Sequence, residues 1–137
     1  MTDHEASGWL HHIDLTVADL ARATEFYDSI LPLLGFRRAP DAADGPIWVG
    51  ARVELGLQRA RPASLRPHDR YSPGLHHLAF GAPDRAAVDR VHHELMRRGV
   101  EILDPPAAYE HYAPGYYAVF FTGPDGVKLE YVFTSPA

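Results

Sequence analysis

The chain has 137 residues, 46% of them hydrophobic, with no cysteine and 18 acidic against 13 basic residues for a net charge of −5. That length is roughly one domain's worth, able to bury about two-thirds of its unfolded surface without disulfide staples. The missing cysteine excludes a disulfide scaffold, a thiolate zinc finger, an iron–sulfur cluster and a cysteine nucleophile, and the acidic balance argues against sequence-independent nucleic-acid binding.

In chain order, residues 1–8 (MTDHEASG) are polar and give no sign of a secretory leader. From Leu10 to Val17, apolar Ile13, Leu15 and Val17 alternate with His12, Asp14 and Thr16, the period of a half-buried strand. A helix follows, with Asp19 as N-cap, Leu20, Ala23, Phe26, Tyr27, Ile30 and Leu34 at helical spacing, Pro32 disturbing its last turn and Gly35 at its C-terminal stop. Short strands are expected at 36–40, 46–50 and 52–59, then a Pro- and Arg-rich linker at 60–74. The pattern restarts at Leu75 with Leu78, Phe80 and Ala82 alternating against His77, Ala79 and Gly81. Asp84 caps a second helix through Ala87, Val88, Val91, Leu95 and Met96, and Gly99 stops it. Strands at 100–104, 116–122 and 127–134 complete the chain, the last two joined by a Pro124-Asp125-Gly126 turn. No apolar run approaches the roughly 20 residues that cross a bilayer, so a cytoplasmic protein without membrane partners is expected.

The order is βαβββ, twice, an α+β architecture, and the halves are related by sequence. LHHIDLTVADLARA (10–23) matches LHHLAFGAPDRAAV (75–88) at an offset of 65, and ARVELGL (51–57) matches GVKLEYVF (126–133) with Glu54 opposite Glu130 at an offset of 76. Module one is thus 9–59 and module two 75–134, the second carrying an insertion of about eleven residues, most of it within 104–118.

Strand alternation sorts the polar side chains. His12 and His77 fall opposite the faces that pack on the helices, while their neighbours His11 and His76 point the other way. Glu54 lies between Val53 and Leu55, and Glu130 between Leu129 and Tyr131, so both glutamates also turn away from the helices. Two imidazoles and two carboxylates suit a divalent ion such as Zn²⁺, Ni²⁺, Co²⁺, Fe²⁺ or Mn²⁺ with coordination places left open. The competing assignment is plain: a strand histidine is most often an ordinary polar residue and a strand glutamate most often faces solvent. The recurrence of the same pair in both halves is what argues for the metal.

These features resemble the vicinal oxygen chelate superfamily, which contains glyoxalase I, methylmalonyl-CoA epimerase, extradiol dioxygenases, fosfomycin-modifying thiol transferases and bleomycin-resistance proteins. The resemblance runs from Trp9 to Phe133 and rests on HIDLTVADLARATEFY (12–27), RVEL (52–55), HHLAF (76–80) and GPDGVKLEY (123–131). It implies a cupped mixed β-sheet with helices on its outer face. The ligands of glyoxalase I fall on His12, Glu54, His77 and Glu130. Dioxygenases and thiol transferases need no carboxylate at the position of Glu54, epimerases tend to carry Gln there, and bleomycin-binding members generally lack the ligands.

The implied activity is that of a metal-dependent lyase or isomerase like lactoylglutathione lyase. A small substrate with two adjacent oxygens chelates the ion, which stabilises negative charge on them as a Lewis acid. A glutamate moves a proton between neighbouring carbons. The resemblance favours Glu130 as that base, with Glu54 its near-symmetric rival. The alternatives are a small-molecule or antibiotic-sequestering protein of the bleomycin-resistance type and an Fe²⁺-dependent ring-cleaving dioxygenase. Relatives build such sites from modules of two chains, so a homodimer is expected.

Around this set, Trp48, Tyr109, Tyr112, Tyr116 and Tyr117 are candidates to line a substrate pocket, with His111 among the tyrosines. Tyr116 and Tyr117 alternate and cannot both do so. Arg22, Arg37, Arg38 and Arg52 are the candidates to hold carboxylates of a thiol co-substrate such as glutathione, although none lies in an assignable motif. His92-His93-Glu94 begins like a zincin helix, but Arg97 stands where the second histidine is required. His4 and His68 stand in polar or loop surroundings.

Overall fold

The computed structural model describes residues 6–40 and 42–136; His4 lies outside them. The chain divides into two compact units, Met1–Leu65 and Arg66–Ala137, each holding one four-stranded mixed sheet and one long helix. The tandem βαβββ order read from the sequence is the order observed, an α+β architecture.

Unit one begins with β1 (His12–Val17) and α1 (Leu20–Ile30), followed by β2 (Arg37–Arg38), β3 (Ile47–Val49) and β4 (Glu54–Arg59). Asp19 caps α1 by accepting from the Arg22 N–H at 3.0 Å, satisfying a donor that the first helical turn leaves unpaired. Ala23, Tyr27 and Ile30, spaced four and three apart, are the buried stripe of α1. Pro32 ends the α-helix one turn early: Leu31–Leu34 tightens into a 3₁₀ turn, and Gly35 at φ 92° closes it. The strands order as β1-β4-β3-β2, with β1 parallel to β4 and the remainder antiparallel. Leu55 and Leu57 of β4 and Trp48 of β3 are buried to 2% exposure or less on the α1 side.

Unit two repeats the plan with β5 (His77–Gly81), α2 (Arg85–Arg97), β6 (Ile102–Ala108), β7 (Tyr117–Thr122) and β8 (Lys128–Phe133), ordered β5-β8-β7-β6. Asp84 caps α2 through the Ala87 N–H at 2.7 Å, and Ala87, Val88, Val91 and Leu95 form its buried face. Met96, placed in that stripe by its spacing, is instead 59% exposed. The insertion lengthens β6, which runs on to Ala108 with register shifts on either side of Asp104, and then turns through 109–116 into β7. Pro105 and Pro106 fall within the second of these shifts, between Asp104 and Ala107 of an edge strand, where neither missing N–H breaks a paired ladder position. The Pro124–Gly126 turn reverses the chain into β8 with Asp125 and Gly126 both at positive φ, 63° and 72°.

Candidate metal centre

In unit one, β1 and β4 run in parallel register with His12 opposite Glu54, and residues opposed across neighbouring strands share a face. His12, Asp14 and Thr16 therefore lie with Glu54, Gly56 and Gln58 on the face away from α1. Asp14 is a carboxylate that the repeat comparison passed over. It stands opposite Gly56, where a Cβ would come within 2.5 Å of its Oδ1, and Gln58 Nε2 donates to its Oδ2 at 3.5 Å.

Unit two brings its pair into contact. His77 Nε2 lies 3.1 Å from Oε1 of Glu130, a carboxylate whose side chain is 1% exposed. The second oxygen, Oε2, accepts a hydrogen bond from the Tyr116 hydroxyl. Burial, and after it the bond to Glu130, pushes the Tyr116 phenol well above its ordinary range, so it stays a donor at any physiological pH. Glu130 is the only buried charged residue among those described, and a buried carboxylate needs compensating positive charge or strong donors.

The register corrects the sequence pairing of Glu54 with Glu130. His77 is opposed by Lys128, while Glu130 is opposed by Ala79. By strand register, Lys128 corresponds to Glu54, and Glu130 corresponds to Gly56. A shift of two residues preserves the face, so the orientation expected for both glutamates holds although their depth along the strand differs. The expectation that His11 and His76 point away from their neighbours is also corrected. Each precedes the strand proper, and the Nδ1 atoms meet, at 3.0 Å for His11–His12 and 2.8 Å for His76–His77. Strict alternation applies only inside a strand.

The aromatic candidates divide. Trp48 is fully buried on the helix side, 6.0 Å from the Tyr27 ring, and its Nε1 donates to Asp28 at 2.9 Å. The β3–β4 register places it opposite Leu55, on the reverse of the His12 face. Tyr117 likewise turns to the helix and donates to Asp89 of α2 at 2.7 Å. Tyr116, just before β7, takes the other side, where its hydroxyl meets Glu130. With it cluster Tyr109, stacked on Tyr112 at 5.5 Å, and His111, 4.2 Å from the Tyr112 ring. Phe120, opposed to Glu130 in the β7–β8 register, links this cluster to His77 through edge contacts with both Tyr109 and His77. Lys128 Nζ lies 4.6 Å from the Phe120 ring. Phe120, four residues on from Tyr116 at strand spacing, was passed over in the sequence, although alternation puts the two on one face.

Of the arginines proposed for a thiol co-substrate, Arg38 is committed to a two-oxygen contact with Asp28 and lies over the Trp48 ring, while Arg52 lies over Trp9. Glu94 is occupied by Arg97 and Arg98, as a helix-surface acid rather than a zincin base. A cavity of about 450 Å³ in unit one is lined by residues that include Leu20, Arg38, Pro46 and Arg59 and by none of the four candidate ligands. Among the described residues no three histidine or acidic side chains are grouped closely enough to hold a metal ion. Each unit carries one imidazole and one carboxylate on its outer strand pair, and nitrogen and oxygen donors of these types are ones that a borderline divalent cation accepts.

Comparison with known proteins agrees with this architecture. Residues 9–131 match the Glyoxalase/Bleomycin resistance protein/Dioxygenase superfamily, and the chain belongs to that superfamily. An uncharacterised Bacillus subtilis protein, YqjT, is 33% identical over 127 residues, covering 92% of this chain and 99% of its own. The crystal structure of a candidate glyoxalase from Bacillus halodurans is 31% identical with a TM-score of 0.78, covering 92% of this chain and 96% of that one. The lactoylglutathione lyase of Agrobacterium tumefaciens shares the fold at a TM-score of 0.70 and 18% identity, over 94% of this chain and 96% of that one. Among the described residues no helix is long and apolar enough to cross a membrane.

Proposed function

We propose that the protein is a divalent-metal-dependent enzyme of the glyoxalase I-like kind, a lyase or isomerase acting on a small substrate with adjacent oxygens. His12, Glu54, His77 and Glu130 would hold the ion. The observation that carries this reading is the His77–Glu130 pair: an imidazole nitrogen 3.1 Å from a buried carboxylate oxygen whose partner oxygen is already tied down. Such a pair is a costly arrangement for stability alone, and it is the arrangement a cation would occupy. When bound, the ion supplies Lewis-acid stabilisation of negative charge developing on two neighbouring substrate oxygens.

The chain's own contribution is proton transfer. A glutamate takes the proton from the carbon beside the carbonyl and returns it to the neighbouring carbon. Because Oε2 of Glu130 accepts from Tyr116, Oε1, beside His77, is the oxygen left to face the ion or a substrate proton, and the two roles compete for it. Half-buried Glu54 makes no side-chain hydrogen bond or ion pair among the described residues. We further propose a homodimer; sedimentation as a monomer with full metal content would overturn that part.

The test is metal analysis of the purified protein before and after stripping and reloading with Ni²⁺, Co²⁺, Zn²⁺, Mn²⁺ and Fe²⁺. About one ion per chain is expected, lost in His77→Ala and in Glu130→Ala. Turnover of 2-oxoaldehyde–thiol adducts by the loaded protein would establish the reaction class, and Glu54→Gln against Glu130→Gln would assign the base. Exposed Tyr112, stacked on half-buried Tyr109, favours one alternative, sequestration of a planar aromatic molecule. Tight binding of such a molecule by metal-free protein without turnover would select it. Oxygen uptake with a catechol would select the dioxygenase.

A further inference from the structure

Tyr116 is one of four tyrosines within nine positions, and its hydroxyl alone among them reaches a candidate ligand. Glu130 is buried, so each of its two oxygens requires a partner. His77 Nε2 takes the side of Oε1, and the Tyr116 hydroxyl takes Oε2. The phenol reaches there because Tyr116 immediately precedes β7 on the face that carries Phe120, and Phe120 is the register partner of Glu130. Tyr109 packs edge-on against Tyr116 at 6.2 Å, and Tyr112 does so at 5.2 Å, holding the ring in place. Glu54 has no such tether.

Building on the metal-site reading above, we propose that Tyr116 is a positioning residue. Its O–H fixes the rotamer of Glu130 so that Oε1 is the oxygen presented beside His77, making Glu130 the fixed carboxylate of the site and Glu54 the movable one. Outer partners of this sort typically change metal affinity by about 10- to 100-fold when removed. Tyr112, in the same cluster, carries a hydroxyl with no contact to Glu130 and provides the internal comparison.

The experiment is Co²⁺ titration of wild type, Tyr116→Phe, Tyr112→Phe and His77→Ala, followed by calorimetry and by the visible absorption of the bound ion, with metal-free thermal unfolding measured in parallel. Tyr116→Phe is expected to weaken Co²⁺ by about 10- to 100-fold and to alter the absorption envelope, with Tyr112→Phe indistinguishable from wild type. If His77→Ala abolishes binding while Tyr116→Phe keeps wild-type affinity and spectrum, the positioning role is overturned and the metal site stands, even if the melting point falls. If wild type retains no ion, both are overturned. Should Tyr116→Phe fail to fold, 3-fluorotyrosine at position 116 keeps the ring shape and strengthens the donor. It must then shift Co²⁺ affinity where the same replacement at 112 does not, and an unchanged affinity overturns the proposal.

Discussion

Asp28 shows how one carboxylate can organise a neighbourhood that looked, from sequence, like part of a pocket. It accepts from the buried Trp48 indole and from Arg38, whose guanidinium also covers the Trp48 ring. Asp28→Ala leaves the indole N–H without its acceptor, and a loss of about 1–3 kcal/mol in unfolding free energy is expected from denaturant titration. Asp28→Asn retains an acceptor and should lose less. The same residue explains why Trp48 was misassigned. An aromatic in a three-residue strand reads identically whether it faces a ligand or a helix, and only the β3–β4 register resolves the face. The strand faces of His12, Glu54, His77 and Glu130 were legible because strands of five or six residues state their own parity. The Tyr116–Glu130 bond was not legible, since it joins residues fourteen positions apart through a register that no local spacing encodes.

The two helices depend on matching caps, Asp19 and Asp84, each at the end of a strand and each accepting from an N–H three residues on. Asp84→Ala should cost about 1 kcal/mol, read as a lower urea midpoint with unchanged slope. A larger penalty is expected at Gly45, which holds φ 145° and would bring a Cβ within 2.2 Å of the Leu57 carbonyl oxygen. Gly45→Ala therefore strains its own backbone and collides with β4, and chemical denaturation should show it to be the more damaging change. In unit two, β7 and β8 carry tyrosines with raised phenol pKa values: Tyr117 chiefly through its bond to Asp89, and Tyr131 chiefly through burial. A raised folded-state value adds stability that is whole below the ordinary phenol value of 10 and is lost as pH rises through the shifted value. Melting temperature should accordingly fall above about pH 10, and less steeply in Tyr117→Phe. Element order, caps and stops were readable because each rests on local chemistry. The length of β6 was not, because consecutive prolines signal a loop unless the strand is known to lie at an edge.

At the scale of the molecule, duplication was the strongest signal in the sequence, and the two sheets, ordered β1-β4-β3-β2 and β5-β8-β7-β6, agree with it. Duplication also misled in one respect. Aligning glutamate with glutamate implied equivalent strand positions, whereas strand register places Lys128 where unit one has Glu54. Unit one thus has a second acid, Asp14, beside its histidine, and unit two has a base. Lys128→Glu would restore the symmetry of the repeat. It should tighten a divalent cation at His77, measurable as a lower Co²⁺ dissociation constant, if charge at that position opposes the ion.

In each unit the first strand made has no neighbour until the last one arrives, because β1 lies beside β4 and β5 beside β8. Each histidine on an opening strand and its glutamate on the closing strand therefore straddle the longest loop closure in their unit, the step that chain entropy opposes most. A cation clasped there would act as a latch on assembly. Its loss should appear first as fraying of the β1–β4 and β5–β8 seams, visible as accelerated amide exchange along His12–Val17 and His77–Gly81 while α1 and α2 remain protected.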